Sequence, residues 1–230
     1  ILPNLSRAHS GEQGDRFSRT LDWALRLIVL IAVPAMLALM ILAEPILTTL
    51  FQYGKTTVND IYMSTLSLRA YAAGLLAFMF IKVLAPGYFA RQDMKTPVKI
   101  GIVAMVANMV LNALFVLPLY FIFNIGHVGL ALATSVSAYI NAYLLYRGLR
   151  RQSVYLPVSG WTAWLSRMLV ANLAMILVLL ACLYQWQGWA DWLWWQRVQY
   201  LGISCLAGLS AYVGVLLLAG VRPRDLKFSA

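Results

Sequence analysis

The sequence predicts an all-α protein, a polytopic membrane helix bundle of six transmembrane helices with both ends in the cytoplasm. Three observations carry this reading. Apolar residues make up 62% of the 230-residue chain and charged residues only 11%, against about 25% charged in ordinary soluble domains. The apolar residues fall into six runs, each near the roughly 20 residues needed to cross the hydrocarbon of a bilayer. Lysine and arginine gather at alternate ends of those runs, fifteen on one side against Lys55 and Arg197 on the other, with Arg69 inside a run. The positive-inside tendency then places both termini in the cytoplasm. An even number of crossings independently requires the termini to share a side.

Residues 1–20 are polar and basic, with Gly11 and Gly14 among them, and are read as a loop. The first span covers Leu21–Leu50, with a kink expected at Pro34 and Pro45 near its end. The second covers Asp60–Ala85. A basic turn follows, in which Lys82, Arg91, Lys95 and Lys99 face one acid, Asp93. Pro86-Gly87 is read as ending one helix, and Thr96-Pro97 as an N-cap followed by proline at the first helical position. The remaining spans are Pro97–Tyr120, Val128–Leu149, Trp161–Tyr184 and Val198–Val221. Trp186, Trp189, Trp192, Trp194 and Trp195 crowd the last connection on the outer side, and Trp161 and Trp164 mark the inner end of the fifth span. Indole prefers the headgroup layer, which agrees with those boundaries.

Several function classes are disfavoured. The net charge of +10 sits in short clusters at span ends rather than in one stripe, so it reports topology and not nucleic acid. Cys182 and Cys205 lie in separate spans without metal or redox spacing and are read as small buried hydrophobes. No nucleophile elbow, Gly-rich phosphate loop or acid pair is visible, so no chemistry on a covalent bond and no cofactor is expected. The informative residues are those costly to bury. Arg69 lies roughly 13 Å into the second span at 1.5 Å per residue. It must line an aqueous cavity, snorkel outward or pair with an acid, and Glu44 is the nearest by depth. Lys82 lies about 140° around the helix from Arg69 and is read as snorkelling to the inner interface. On the third and fourth spans Asn108 and Asn112 face Thr134, Ser137 and Asn141. Counting outward from a turn at Asn124 matches Asn112 with Ser137 and Asn108 with Asn141. One reading is hydrogen bonding between helices, worth about 0.6 kcal/mol per contact. The other is a monovalent-cation site, such as Na⁺, built from Asn108, Asn112 and Thr134.

The string KVLAPGYFARQDMKTPVKI, Lys82–Ile100, with LFQYGK at Leu50–Lys55, resembles the MurJ (MviN) lipid II flippases of the multidrug, oligosaccharide-lipid and polysaccharide exporter superfamily. The resemblance runs along the chain and implies that it is the C-terminal part of a fourteen-helix transporter. On that mapping residues 1–20 are a cytoplasmic loop after a truncated helix. Residues 21–150 are the last four helices of the second lobe, and 151–230 an extra helix pair with a cytoplasmic tail. The implied function is translocation of an undecaprenyl-linked peptidoglycan precursor across the bacterial inner membrane by alternating access, coupled to membrane potential or a monovalent cation. The implied partners are lipid II, membrane lipids and the missing N-terminal helices. Arg69, Lys82 and Arg91 are the candidate contacts to an anionic headgroup. Gly202, Ala207, Gly208 and Ala211 are candidates for a lipid-tail groove, with helix packing as the alternative. The runner-up functions are export of another polyprenyl-linked saccharide or a drug, and a non-transporting membrane scaffold.

Overall fold

The computed structural model describes residues 2–186 and 188–221, with side chains from residue 14 onward. Eight α-helices follow in order: α1 Leu2–Ile41, α2 Ala43–Phe51, α3 Val58–Ala73, α4 Leu75–Phe89, α5 Lys95–Phe123, α6 Gly126–Arg151, α7 Trp161–Gln185 and α8 Trp194–Leu218. A short 3₁₀ turn at Trp189–Asp191 lies between α7 and α8. Six helical stretches are long and apolar enough to cross a membrane, with α3 and α4 forming one of them. The six expected spans are therefore present. Arg222, Arg224 and Lys227, three of the cations used to orient the chain, lie outside the described residues, as does Ile1. The end carrying the turns 90–94 and 152–160 is called the basic end below, and the end carrying 186–193 the tryptophan end.

Four local expectations are corrected. The 1–20 loop is helical and continuous with the first span. Gly11 and Gly14 each cost only about 1 kcal/mol relative to alanine, and packing overrides them. Ser18 is buried, accepts from the Leu156 N–H at 2.8 Å and donates to the Leu156 carbonyl at 3.2 Å, while Asp15 pairs with Arg19 one turn on. The first span divides at Leu42, between α1 and α2. Pro45 has no N–H to give the carbonyl four residues earlier, at Ile41, and its ring crowds that carbonyl. Pro86-Gly87 does not end a helix, since α4 continues to Phe89. Membrane helices tolerate proline where neighbouring groups re-satisfy the backbone, and a Cβ on Gly87 would lie 3.3 Å from the Leu149 side chain of α6. The chain turns instead at Gln92, φ +60°, and Asp93 rather than Thr96 caps α5, its Oδ1 accepting from the Thr96 N–H at 3.0 Å. Those bonds from Thr96 hold the Asp93 carboxyl below the usual carboxylate range.

Lipid offers apolar side chains no less than the protein interior does, so close packing and hydrogen bonds must hold the helices together. The helix α6 shows both. Half of its membrane-length stretch is buried, against 6% for α5, and its inner face carries Gly129, Ala131, Ala133, Ser135, Ala138 and Ala142. A Cβ on Gly129 would sit 2.9 Å from the backbone of Phe115 and Val116, which fixes how α5 lies on α6. The second span breaks at Gly74, whose N–H turns to the Tyr71 carbonyl at 2.9 Å instead of to Ala70. The carbonyls around that break are taken by α6, with Ser135 Oγ donating to Ala70 at 2.7 Å and the Tyr139 hydroxyl to Ala73 at 2.8 Å. A Cβ on Gly74 would meet Ser135 Oγ at 2.6 Å, so the break and the close approach belong together.

Candidate functional site

The three cations expected to touch an anionic headgroup are not brought together. Arg69 faces a cavity of about 680 Å³ at the tryptophan end, between α2, α3 and the α7–α8 connection, and Glu44 lines the same cavity. The two do not pair; Arg69 Nε donates to the Met40 carbonyl at 3.1 Å. That carbonyl lies in the last turn of α1, at the break upstream of Pro45, where an arginine suits both the unmet acceptor and the negative helix end. Lys82 is exposed on α4. Arg91 is exposed at the basic end, where Nη1 donates to Gln152 Oε1 at 3.0 Å and the side chain lines a cavity of about 620 Å³ with Asp15, Ser18 and Ser153.

The polar seam between α5 and α6 forms, one turn out of the expected register. Asn108 Nδ2 donates to Ser137 Oγ at 3.3 Å, and Asn112 Nδ2 to Asn108 Oδ1 at 3.0 Å. Counting residues outward from Asn124 fails because Gly129 presses on Phe115 and Val116, and that contact carries the same offset of about one helical turn. Thr134 Oγ1 is turned back onto its own helix, at 2.9 Å from the Leu130 carbonyl. Asn112 Oδ1 is buried without a partner among the described residues. Among the described residues no group of three His, Cys, Asp or Glu is placed to hold a metal.

An apolar groove of about 450 Å³ runs between α1 and α8, floored by α7. Of Gly202, Ala207, Gly208 and Ala211, only Gly208 lines it. A Cβ there would lie 2.7 Å from Leu179 of α7, so this glycine serves the α7–α8 contact, whereas nothing approaches Gly202 within 4 Å. The groove's one polar anchor is Tyr212, whose hydroxyl donates to the Leu30 carbonyl at 2.7 Å. Leu30 is the residue four before Pro34, so its carbonyl has no helical donor. A tyrosine on the last span thus satisfies a carbonyl that a proline on the first span leaves bare. Sequence reading missed Tyr212, although the i−4 rule for proline marks the acceptor.

Two further buried groups escaped it. Asp22 is 3% exposed. Its Oδ2 accepts from Arg26 Nε at 2.9 Å, and its Oδ1 from the Tyr155 hydroxyl at 2.7 Å, Trp161 Nε1 at 2.9 Å and the Val158 N–H at 3.2 Å. Arg26 also reaches the carbonyls of Val158 and Ser159 and lies 5.1 Å from the Trp161 ring centroid. One carboxylate thereby ties the α6–α7 connection to α1, and burial together with the Asp22 bond pushes the Tyr155 phenol well above its ordinary pKa. The sequence signal was an acid at the head of an apolar run, four residues before an arginine. At the other end Arg197 is 7% exposed and has no acid partner among the described residues. It donates to the carbonyls of Ala190 at 2.7 Å and Thr48 at 3.0 Å, closing the C-terminal end of α2 against α8.

Comparison with known proteins matches this architecture. The family model described as Lipid II flippase MurJ covers residues 1–217. A probable lipid II flippase MurJ of Vibrio cholerae serotype O1 is 48% identical over 99% of this chain and 42% of its own length. A counterpart in Haemophilus influenzae is 43% identical over 98% of the chain and 44% of its own length, and one in Burkholderia cenocepacia is 37% identical over 96% and 42%. The chain thus spans less than half the length of these relatives. A solved structure, "Lipid II flippase MurJ, inward closed conformation", shares the fold with a TM-score of 0.71 at 23% identity, over 91% of this chain and 40% of that one. With a family model spanning nearly the whole sequence and six membrane-length helices in place, the chain belongs to the MurJ lipid II flippase family, as a multi-pass protein of the bacterial inner membrane.

Proposed function

We propose that this chain is the C-terminal part of a flippase that moves an undecaprenyl-linked peptidoglycan precursor across the inner membrane by alternating access, with the basic end in the cytoplasm. The observation that carries the reading is the family match along residues 1–217. The geometry supports a division of labour. Arg91 and Lys82 meet the anionic headgroup from the basic end, and the groove beside Tyr212 accepts apolar chain. In the groove, Leu209, Val213 and Leu217 of α8 take the place assigned to Gly202, Ala207 and Ala211. Coupling to a monovalent cation is favoured by one observation, the unpartnered Asn112 oxygen beside Asn108 in the seam. Any carboxylate for such a site has to come from outside α5 and α6, which contain none.

Depletion of the full-length protein tests the transport reading. Precursor should accumulate on the cytoplasmic face before lysis, and wild type should restore growth. A variant with Arg91, Lys95 and Lys99 all replaced by glutamine should restore little or none of it at equal abundance. Normal growth with the triple variant would remove these cations from the mechanism, and unchanged precursor levels would redirect the reading to another cargo or to a scaffold.

A further inference from the structure

The cavity at the tryptophan end holds two opposite charges that do not neutralise each other. Glu44 is exposed in the first turn of α2 and bonds to no other described residue. Arg69 uses Nε on the Met40 carbonyl, and among the described residues no bond occupies its two terminal nitrogens. Gln52 and Trp189 line the same cavity, and each carries a buried polar atom, Oε1 and Nε1, without a partner among the described residues. An acid and a guanidinium facing one space, with a spare acceptor and a spare donor beside them, are best matched by a ligand that carries both charges itself.

The depth of the cavity narrows the choice. Trp186 and Trp189 form part of its wall, and Trp194 and Trp195 are exposed at the start of α8 just beyond it. Indole rings settle at the headgroup layer, so the opening lies where lipid headgroups lie. From these placements we propose that the cavity binds the headgroup of a zwitterionic phospholipid bearing a primary ammonium, with the ammonium on Glu44 and the phosphate on Arg69. A primary ammonium gives three donors to a carboxylate, whereas a quaternary one gives none. A guanidinium and a phosphate make charge-assisted, bidentate bonds. An anionic headgroup would satisfy Arg69 but press negative charge against Glu44. The acyl chains then leave along Leu183 and the exposed apolar surface of α7 and α8. This site rests on the cavity alone and stands apart from the transport reading.

The test uses the full-length protein in detergent, titrated with short-chain phosphatidylethanolamine, phosphatidylcholine and phosphatidylglycerol and read by thermal melting and native mass spectrometry. Phosphatidylethanolamine should bind most tightly of the three. Glu44→Gln should weaken it about tenfold, the loss of one charged hydrogen bond, and tighten phosphatidylglycerol by relieving the like-charge contact. Glu44→Lys should reverse the preference in favour of phosphatidylglycerol. Equal affinity of wild type and Glu44→Gln for phosphatidylethanolamine would overturn the proposal. So would tighter or equal binding of either other lipid by the wild type, or binding of none.

Discussion

Asp22→Ala should be among the most damaging single substitutions in this chain, lowering stability in detergent by about 3–5 kcal/mol, the range for removing one partner of a buried ion pair. The carboxylate is almost fully buried and takes four donors from four residues. Without it Arg26 loses its counter-charge, and Tyr155, Trp161 and the Val158 N–H lose their acceptor. Two of those donors sit in the α6–α7 connection and one at the head of α7, so the damage falls where the last helix pair joins the rest. Asp22→Asn keeps an oxygen for Tyr155 and Trp161 and removes only the charge, and should cost distinctly less. Thermal melting of both variants, with limited proteolysis at 152–160, checks the assignment. Equal melting of the alanine variant and wild type would mean that this network holds nothing together.

Arg197→Met should cost about 2–3 kcal/mol, a figure set by losing the charged hydrogen bonds of a buried guanidinium. Methionine retains much of the apolar stem, so the loss isolates the guanidinium. The Ala190 carbonyl loses its guanidinium donor, and the Thr48 carbonyl at the end of α2 keeps only the bond from the Gln52 N–H at 3.3 Å. Arg197→Lys keeps the charge but, as a compact ammonium, cannot fork to two carbonyls at that spacing, and should fall between methionine and wild type. Protease sensitivity of the 186–193 connection should rise in the same order. If Arg197→Lys melts with the wild type, charge alone matters and the fork does not.

The six spans were legible because crossing hydrocarbon demands a long apolar run, and that demand is written in composition. Where the spans break was less legible. Gly74 and Pro86-Gly87 carry similar local signals, yet only Gly74 marks a break, because Ser135 and Tyr139 on α6 stand ready to take the freed carbonyls. At Pro86 the helix runs on, pressed against Leu149. The polar start of α1 was misread for a related reason, since the contacts of Ser18 with Leu156 come from far along the chain. Among the candidate site residues, Arg69 stands out in the sequence as costly to bury, and depth along the spans names Glu44 as the nearest acid. The Met40 carbonyl, which does bond it, shows in the sequence only as a residue five before Pro45. Small residues on α8 pointed to a groove, yet the groove is walled by large ones, because small residues let helices meet and large ones bound the space between.

Tyr212 reaches the Leu30 carbonyl across a sequence separation of 182 residues. Spans enter the membrane in the order in which the ribosome makes them, so α1 must wait inside the lipid with a naked acceptor until α8 arrives. Assembly of these spans is therefore completed only when α8 docks, and a chain released before Tyr212 is synthesised leaves α1 unfinished.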